Sequence, residues 1–216
     1  MTTPLFRILF GLACVLNFLI SEFYRRKARA VRVIVIEQRN SSMYFIITTI
    51  WGPCLYGVLL VTPAMPGWVT WATIGQPAAL HWLGAALALG SLPLTFWASR
   101  FLGSNLAGGL EMSLGSKLVI GGPYRRIRHP LYLAGTMFLT GLSLLSASLL
   151  VDAVSAAGIV LMRFIVIPRE ERTLAEKFGK AFEAYRNRTG VWIPVEARHP
   201  RVRKNSVRRG FFKATD

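Results

Sequence analysis

The stretch Leu131–Ile167, LYLAGTMFLTGLSLLSASLLVDAVSAAGIVLMRFIVI, decides the fold of this chain. It is apolar almost throughout, and its only charged residues are Asp152 and Arg163. A bilayer core about 30 Å thick needs roughly 20 apolar helical residues, so the stretch is long enough to cross a membrane and return. We predict two spans, Leu131–Val151 and Ala153–Ile167, that form a tight antiparallel hairpin around Asp152.

Three further apolar segments precede this hairpin: Leu5–Ser21, Met43–Thr62 and Ala78–Ala98. Apolar residues make up 53% of the 216 residues, and the mean hydropathy is +0.43, which is high for a soluble domain. The composition therefore predicts an all-α integral membrane protein with about five transmembrane helices. The two cysteines, Cys14 and Cys54, lie in apolar stretches without neighbouring ligands, so they indicate neither a metal site nor a disulfide framework.

The basic residues predict the orientation of the chain in the membrane. The net charge is +16, yet the loop Pro63–Pro77 contains no Lys or Arg. Six basic residues lie between the first two spans, five in 99–130, and fourteen from Arg163 onward. Cytoplasmic loops are enriched in Lys and Arg, so we predict an extracytoplasmic N-terminus and a cytoplasmic C-terminus. This topology accounts for the basic excess, and we expect no nucleic-acid partner.

We divide the chain into the first three spans (1–98), a region with a cytoplasmic loop, the hairpin and the helix that follows it (99–195), and a basic cytoplasmic tail (196–216). The tail carries seven basic residues between Arg198 and Lys213, together with Phe211 and Phe212. Such a segment suits anionic lipid headgroups, although a solvated disordered tail fits the same composition.

The first polar cluster is the run GGPYRRIRHPLYLAG, residues 121–135, at the start of the fourth span. Pro130 suits the first turn of a helix, which places Arg128 and His129 at the helix N-terminus. Free backbone N–H groups and the helix dipole favour an anionic ligand there, such as a carboxylate or phosphate. Tyr132 and Gly135 follow on one side of the helix. The alternative is a basic collar with an interfacial tyrosine.

The second polar cluster begins in the fifth span with Arg163 and continues through Glu170 and Glu171. A charged residue in an apolar span needs a polar cavity or a partner, and the two glutamates are the nearest candidates. Arg163 and Glu170 share a helical face if the helix continues through Pro168, which is expected to bend it. We predict that both clusters meet at one cytoplasmic pocket.

An amphipathic helix is predicted after this cluster, because Leu174, Phe178, Phe182 and Tyr185 recur at helical spacing. We expect it to lie along the membrane surface, although packing alone would also explain the pattern.

The two clusters together resemble a known family. The first run, the apolar hairpin, the pattern R-x6-E-E-x-x-L-x-x-x-F-G-x-x-F-x-x-Y and the closing Ile193-Pro194 resemble the isoprenylcysteine carboxyl methyltransferases and their phospholipid methyltransferase relatives. The resemblance covers roughly Leu102–Pro194 and includes L-G-x-N at Leu102–Asn105. It implies a membrane methyltransferase that uses S-adenosyl-L-methionine without a Rossmann domain.

The resemblance also implies the site residues. Arg163 and Glu170 would face the reacting substrate. The cofactor would be bound by side chains and backbone of Gly121, Tyr124, Arg128, His129, Tyr132, Gly135, Glu171 and Tyr185. Phe182 departs from the tyrosine frequent in this family, which leaves a hydroxyl role vacant or moved to Tyr185. No metal is implied.

The residue types do not decide which group the enzyme would methylate. A lipidic carboxylate held by Arg163 needs no base, whereas an ethanolamine headgroup would need Glu170 to accept its proton. We favour methylation of the carboxylate of an isoprenylcysteine-like lipid and keep phospholipid N-methylation as the alternative. A nicotinamide-dependent enzyme similar to sterol reductases and a non-enzymatic scaffold are the hypotheses from other classes.

Overall fold

The computed structural model describes residues 4–31, 57–58, 66–103 and 117–193. Its helices in chain order are α1 (Pro4–Val31), α2 (Ala78–Leu102), α3 (Pro130–Ser146), α4 (Leu149–Leu161), α5 (Ile167–Phe178) and α6 (Lys180–Arg186). A π-helical turn, Met162–Val166, joins α4 to α5, and 3₁₀ turns occupy Pro66–Ala72 and Gly122–Arg125. Apart from two isolated β-bridges, the described ranges contain no strand pairing. The predicted all-α class is confirmed.

Within the described residues, three helical stretches are long and apolar enough to cross a membrane: Pro4–Ala28, Ala78–Leu102 and Leu149–Phe178. Helix α3 is a shorter apolar helix. The predicted second span, Met43–Thr62, lies outside the described residues except for 57 and 58. Large apolar side chains on α1, such as Ile8 and Leu19, are exposed, which suits contact with lipid tails. These features support the membrane-protein prediction.

The hairpin between α3 and α4 turns earlier than predicted. Helix α3 ends at Ser146, Ala147 adopts the left-handed conformation (φ 49°), and α4 begins at Leu149. Asp152 instead lies in the first turn of α4, where it accepts a 2.7 Å hydrogen bond from the Ser143 hydroxyl. The positive end of the helix dipole favours an acidic residue in that position. The predicted boundaries Leu131–Val151 and Ala153–Ile167 are therefore wrong, although the hairpin itself is present.

Helices α2 and α3 pack with their backbones in direct contact. A Cβ atom added at Gly84 would lie 2.5 Å from the backbone nitrogen of Leu145, and one at Gly141 would lie 2.4 Å from that of Ala88. Small residues allow this approach, and close packing rather than hydrophobicity holds helices together in lipid. The surrounding core includes Phe10, Ala88, Leu142, Leu145 and Val151.

Polar side chains join α2 to the C-terminal end of α3. His81 is buried, and its Nδ1 lies 3.0 Å from the carbonyl oxygen of Leu145. The Gln76 amide donates to the carbonyl oxygen of Leu144. The His81 ring also stacks on Phe6 of α1, with 4.6 Å between the ring centroids. Carbonyls at a helix end have no partner within the helix, so these contacts satisfy them and fix three helices together.

We predict that Gly84→Ala destabilises the protein while Gly90→Ala does not. At Gly84 the new methyl group would overlap α3 backbone, whereas nothing lies within 4 Å of a Cβ at Gly90 on the same helix. Overpacking of this kind lowers the free energy of unfolding by about 1–3 kcal/mol. Thermal unfolding in detergent should show a lower Tm for Gly84→Ala only. Equal Tm values for the two variants would contradict the close α2–α3 contact.

Candidate functional site

A tight turn before α3 positions the first polar cluster. Gly122 has a positive φ of 56°, and a Cβ there would lie 2.6 Å from the Phe101 ring, so glycine is required on both counts. The turn leads to His129 as the N-cap residue and Pro130 as the first residue of α3. The predicted placement of Arg128 and His129 at a helix start is therefore present in the structure.

The backbone around this helix start pairs with the segment after α6. The Arg128 N–H donates to the Gly190 carbonyl (2.8 Å), and the His129 N–H donates to the Val191 carbonyl (3.2 Å). The Gly190 N–H returns a 3.3 Å bond to the Arg126 carbonyl. We call residues 189–191 and their bonds to 126–129 the clasp. The clasp uses the backbone N–H groups of Arg128 and His129, so an anion at this helix start would have to bind the N–H groups of the first helical turn, and that binding stays a prediction.

The Arg128 side chain fixes three parts of the chain at once. Its Nε donates to Glu171 Oε1 on α5 at 2.8 Å, and its Nη1 donates to the Arg186 carbonyl at 2.9 Å and to the Thr189 carbonyl. The side chain is 10% exposed, so these charge-assisted bonds form largely away from water. Arg128 thus holds α5, the end of α6 and the clasp against the start of α3.

His129 lies between the two glutamates of the second cluster. Its Nε2 is 3.2 Å from Glu171 Oε1, and its Nδ1 is 3.8 Å from Glu170 Oε2. A neutral imidazole has one N–H, so only the protonated ring can donate toward both carboxylates. The two predicted clusters therefore do meet, and the contact joins α3 to α5 through a ring that is 4% exposed.

The Glu170 carboxylate retains unused acceptor capacity. Its Oε2 is buried and has no hydrogen-bond partner within the described residues, since the 3.8 Å to His129 Nδ1 is too long for a hydrogen bond. The Tyr132 hydroxyl interacts with the same carboxylate, and the Tyr132 ring lies 5.6 Å from the His129 ring. A buried carboxylate oxygen without a donor is costly, so this atom is a point at which a ligand could bind.

Two tyrosines complete the network beside the clasp. The Tyr185 hydroxyl donates a 2.7 Å hydrogen bond to the Tyr124 carbonyl. Burial raises the pKa of Tyr185 to about 12 against the opposing charges of Arg128 and Arg188. Burial, the charge of Glu170 and the nearby Tyr185 likewise raise the pKa of Tyr124. Both phenols stay protonated at neutral pH, and the Tyr185 hydroxyl acts as a hydrogen-bond donor. The neighbouring Phe182 is 1% exposed, so apolar packing fills the position of the expected tyrosine.

Arg163 does not pair with the glutamates as we predicted. Its guanidinium lies over two aromatic rings, 5.6 Å from the centroid of Phe164 and 5.8 Å from that of Trp192. The carboxylates of Glu170 and Glu171 pair with His129 and Arg128 instead.

The π-helical turn explains this difference. The Ile167 N–H bonds to the Met162 carbonyl, five residues back, so the turn holds an extra residue and rotates α5 and its glutamates relative to Arg163. Pro168 lies within the first turn of α5 and leaves the helix continuous from Leu149 to Phe178.

Other predicted residues lie around this network. Gly135 on α3 faces the π-helical turn, where the Met162 sulfur is 3.7 Å from a Cβ built at the glycine. Gly121 is exposed at the turn before α3. The predicted surface helix is split at Gly179, which has a φ of 50°, into α5 and α6. Residues 189–192 were missed by sequence reasoning, because the only signal noted there was Ile193-Pro194. The cofactor and substrate roles of all these residues stay predictions.

We predict that Arg128→Ala loosens the clasp. The substitution leaves Glu171 without its arginine partner and removes the side-chain donors to two carbonyls. The free energy that stabilises this part of the structure should fall by about 2–4 kcal/mol. Hydrogen exchange should show lost protection of the backbone N–H groups of Arg128, His129 and Gly190. The exposed Arg125→Ala serves as the matched control. Unchanged protection in Arg128→Ala would show that the backbone bonds alone hold the segment.

Known proteins resemble this chain over part of its length. It is 42% identical over 77 residues to the cobalt-zinc-cadmium resistance protein CzcN of Cupriavidus metallidurans, covering 36% of this chain and 35% of the relative. It is 29% identical over 120 residues to the nickel-cobalt-cadmium resistance protein NccN of Alcaligenes xylosoxydans xylosoxydans, covering 52% of each. The chain thus spans about a third to a half of these curated relatives.

The relatives' names concern metals, but the described ranges contain no group of three or more His, Cys, Asp or Glu side chains able to hold a metal ion. The model of the phospholipid methyltransferase family matches residues 79–181. That match runs from α2 to the start of α6 and includes the Arg128–His129–Glu170–Glu171 network. Across this region, slightly under half of its length, the chain is similar to the phospholipid methyltransferase family.

Proposed function

We propose that this protein is an S-adenosyl-L-methionine-dependent membrane methyltransferase that methylates the carboxylate of an isoprenylcysteine-like or other lipidic substrate. The observation that carries the proposal is the overlap of the family match, residues 79–181, with a largely buried network of two carboxylates, a histidine and an arginine. Buried charged groups at the end of apolar helices are costly, which favours a functional over a purely structural role.

The residues of the network fit the chemistry of the cofactor. S-adenosyl-L-methionine carries an ammonium group, a carboxylate, ribose hydroxyls and an adenine ring, and it supplies a methyl group on a positively charged sulfur. The carboxylates of Glu170 and Glu171 suit the ammonium or ribose hydroxyls. The rings of His129 and Tyr132 offer aromatic surface. The free acceptor capacity of Glu170 Oε2 supports this assignment, because a bound donor would remove the cost of its burial.

The surroundings of Arg163 favour a carboxylate as the methyl acceptor. The guanidinium makes cation–π contacts with Phe164 and Trp192 but no ion pair or hydrogen bond with another described residue, which leaves its N–H groups for a ligand. A carboxylate is already nucleophilic, so the protein needs to orient it and exclude water rather than remove a proton.

Phospholipid N-methylation is the second candidate. An ethanolamine nitrogen must lose its proton before it attacks, and Glu170 Oε2 is a buried acceptor without a hydrogen-bond donor in the described part of the chain. The family description, which names phospholipids, also favours this alternative. The two candidates differ in which residue contacts the acceptor, Arg163 or Glu170.

We place the site at the cytoplasmic face, with the N-terminus of the chain outside. The cofactor is a cytosolic metabolite, whereas a lipidic acceptor enters from the bilayer. Exposed Arg125 and Arg126 beside the site suit contact with anionic lipid headgroups, which we propose as further partners.

Cofactor binding provides the first test of the proposal. Purified protein should bind S-adenosylhomocysteine, and His129→Ala and Glu171→Gln should each raise the Kd about tenfold or more, because each removes a hydrogen bond involving a charged group. Isothermal titration calorimetry measures the Kd, with the exposed Glu183→Gln as control. Unaltered affinity in both site variants would remove the assignment. Binding of a reduced nicotinamide instead would favour a reductase, and binding of neither ligand would favour a scaffold.

Two substitutions separate the candidate acceptors. Arg163→Ala should lower methylation of a prenylcysteine carboxylate by about a hundredfold, as expected when a bidentate ion pair is lost, and should leave S-adenosylhomocysteine affinity unchanged. Glu170→Gln should abolish methylation of ethanolamine lipids if the acceptor is an amine. Transfer of radiolabelled methyl to both acceptors measures the outcome, with the exposed Arg169→Ala as control. A fully active Arg163→Ala variant would mean that this arginine only packs.

A further inference from the structure

We infer that Trp192 binds the methyl acceptor, its indole N–H acting together with the Arg163 guanidinium on the anionic oxygen atoms of a lipidic substrate. The inference rests on the proposed function, because it assigns a new contact to the same site. Neither the resemblance of the sequence nor the family match, which ends at residue 181, assigns a role to this residue.

The first observation is an indole N–H without a partner. Trp192 Nε1 is buried, and within the described residues it has no hydrogen-bond acceptor. An indole nitrogen can only donate, and a buried donor left unsatisfied loses its hydration without compensation. Buried tryptophans usually place this N–H on an acceptor. An oxygen atom from a ligand would supply one.

The second observation is the position of the ring under a cation. The Arg163 guanidinium lies 5.8 Å from the Trp192 ring centroid, in the distance range of a cation–π contact. The indole and the guanidinium, a neutral and a charged donor group from separate parts of the chain, are therefore neighbours. Two such donors suit an oxyanion, such as a carboxylate or a phosphate.

The clasp holds Trp192 in this position. The carbonyl of the preceding residue, Val191, accepts the His129 N–H, so Trp192 follows directly after a backbone bond to the glutamate–histidine network. This connection places the indole, which we assign to the methyl acceptor, next to the proposed cofactor residues. The indole is neutral, so it adds no charge to the membrane region. Neither the Glu170 nor the Glu171 carboxylate accepts a hydrogen bond from the indole, since Trp192 Nε1 has no partner within the described residues.

Apolar side chains beside this pair offer room for a lipid tail. Phe164 is 68% exposed and Ile193 is 77% exposed, and they neighbour Arg163 and Trp192 in sequence. Exposed apolar surface next to two anion-binding donors suits an amphiphile with an acidic head and a hydrocarbon tail. Either a lipidic carboxylate or the phosphate of a phospholipid has this chemistry, and the experiment separates the two.

The test compares Trp192→Phe with the wild type on matched ligands. Phenylalanine keeps an aromatic ring under Arg163 but has no N–H. We expect KM for a prenylcysteine carboxylate to rise about tenfold, the effect of one hydrogen bond to a charged group, with S-adenosylhomocysteine affinity unchanged. Trp97→Phe, at an exposed tryptophan of α2, controls for the substitution itself.

Binding of neutral analogues separates a ligand contact from packing. The wild type should bind prenylcysteine more tightly than its carboxamide, and Trp192→Phe should reduce this preference about tenfold, whereas a packing role would leave the ratio unchanged. Trp192→His, which retains an N–H donor, should restore part of the preference. The same comparison between a phospholipid and an analogue lacking the phosphate identifies a phosphate as the ligand instead. An unchanged preference in both comparisons overturns the inference.

Equilibrium binding also separates this inference from the proposed function. Binding of the carboxylate and its carboxamide is measured by competition on the full chain in detergent, without turnover. If the wild type neither binds S-adenosylhomocysteine nor transfers methyl, the proposed function fails, while a carboxylate preference lost in Trp192→Phe still supports the anion site. If methyl transfer is present and Trp192→Phe keeps the wild-type KM and preference, only the inference fails.

Discussion

The pairing of Glu171 with Arg128 and His129 is the interaction on which the rest of the site depends. It joins the start of α3 to α5, which are separated by the whole α3–α4 hairpin. Each group is largely removed from water, so Glu171 or Arg128 left alone would be a costly buried charge. The contacts of Glu171 with Arg128 and His129 therefore fix where α5 leaves the apolar hairpin. Arg128 extends the same constraint to α6 through the Arg186 carbonyl.

Small residues hold the α3–α4 hairpin in place against α2. The contact of Gly84 and Gly141 with backbone of the opposite helix sets the distance between α2 and α3. His81 and Gln76 hold the other end of α3. The α3 helix is thus fixed at its C-terminal end by hydrogen bonds from His81 and Gln76, and near its N-terminal end by the ion pair of Arg128 with Glu171. A helix held at both ends suits a site that needs its groups in one geometry.

Local sequence patterns predicted the features that depend on residues close together in the chain. Apolar run lengths indicated the helical membrane fold, and Pro130 after Arg128 and His129 indicated a helix start. Hydropathy could not locate the turn at Ala147, because Asp152 interrupts the apolar run while Ala147 does not. Helical spacing could not foresee the π-helical turn, whose extra residue separates Arg163 from the glutamates. The clasp was not predicted, because its hydrogen bonds join segments far apart in the chain and no local sequence pattern encodes them.

The clasp has a consequence for how this protein is made. Arg128 reaches the Thr189 carbonyl across a sequence separation of 61 residues, and the same side chain holds Glu171. A chain emerging from the ribosome inserts its apolar helices as they are synthesised, N-terminal segments first. The clasp therefore cannot close until residue 191 has been translated, after the whole hairpin has been synthesised. Newly made chains would pass through a stage with an open clasp, and quality-control proteases could distinguish such unfinished molecules from mature ones.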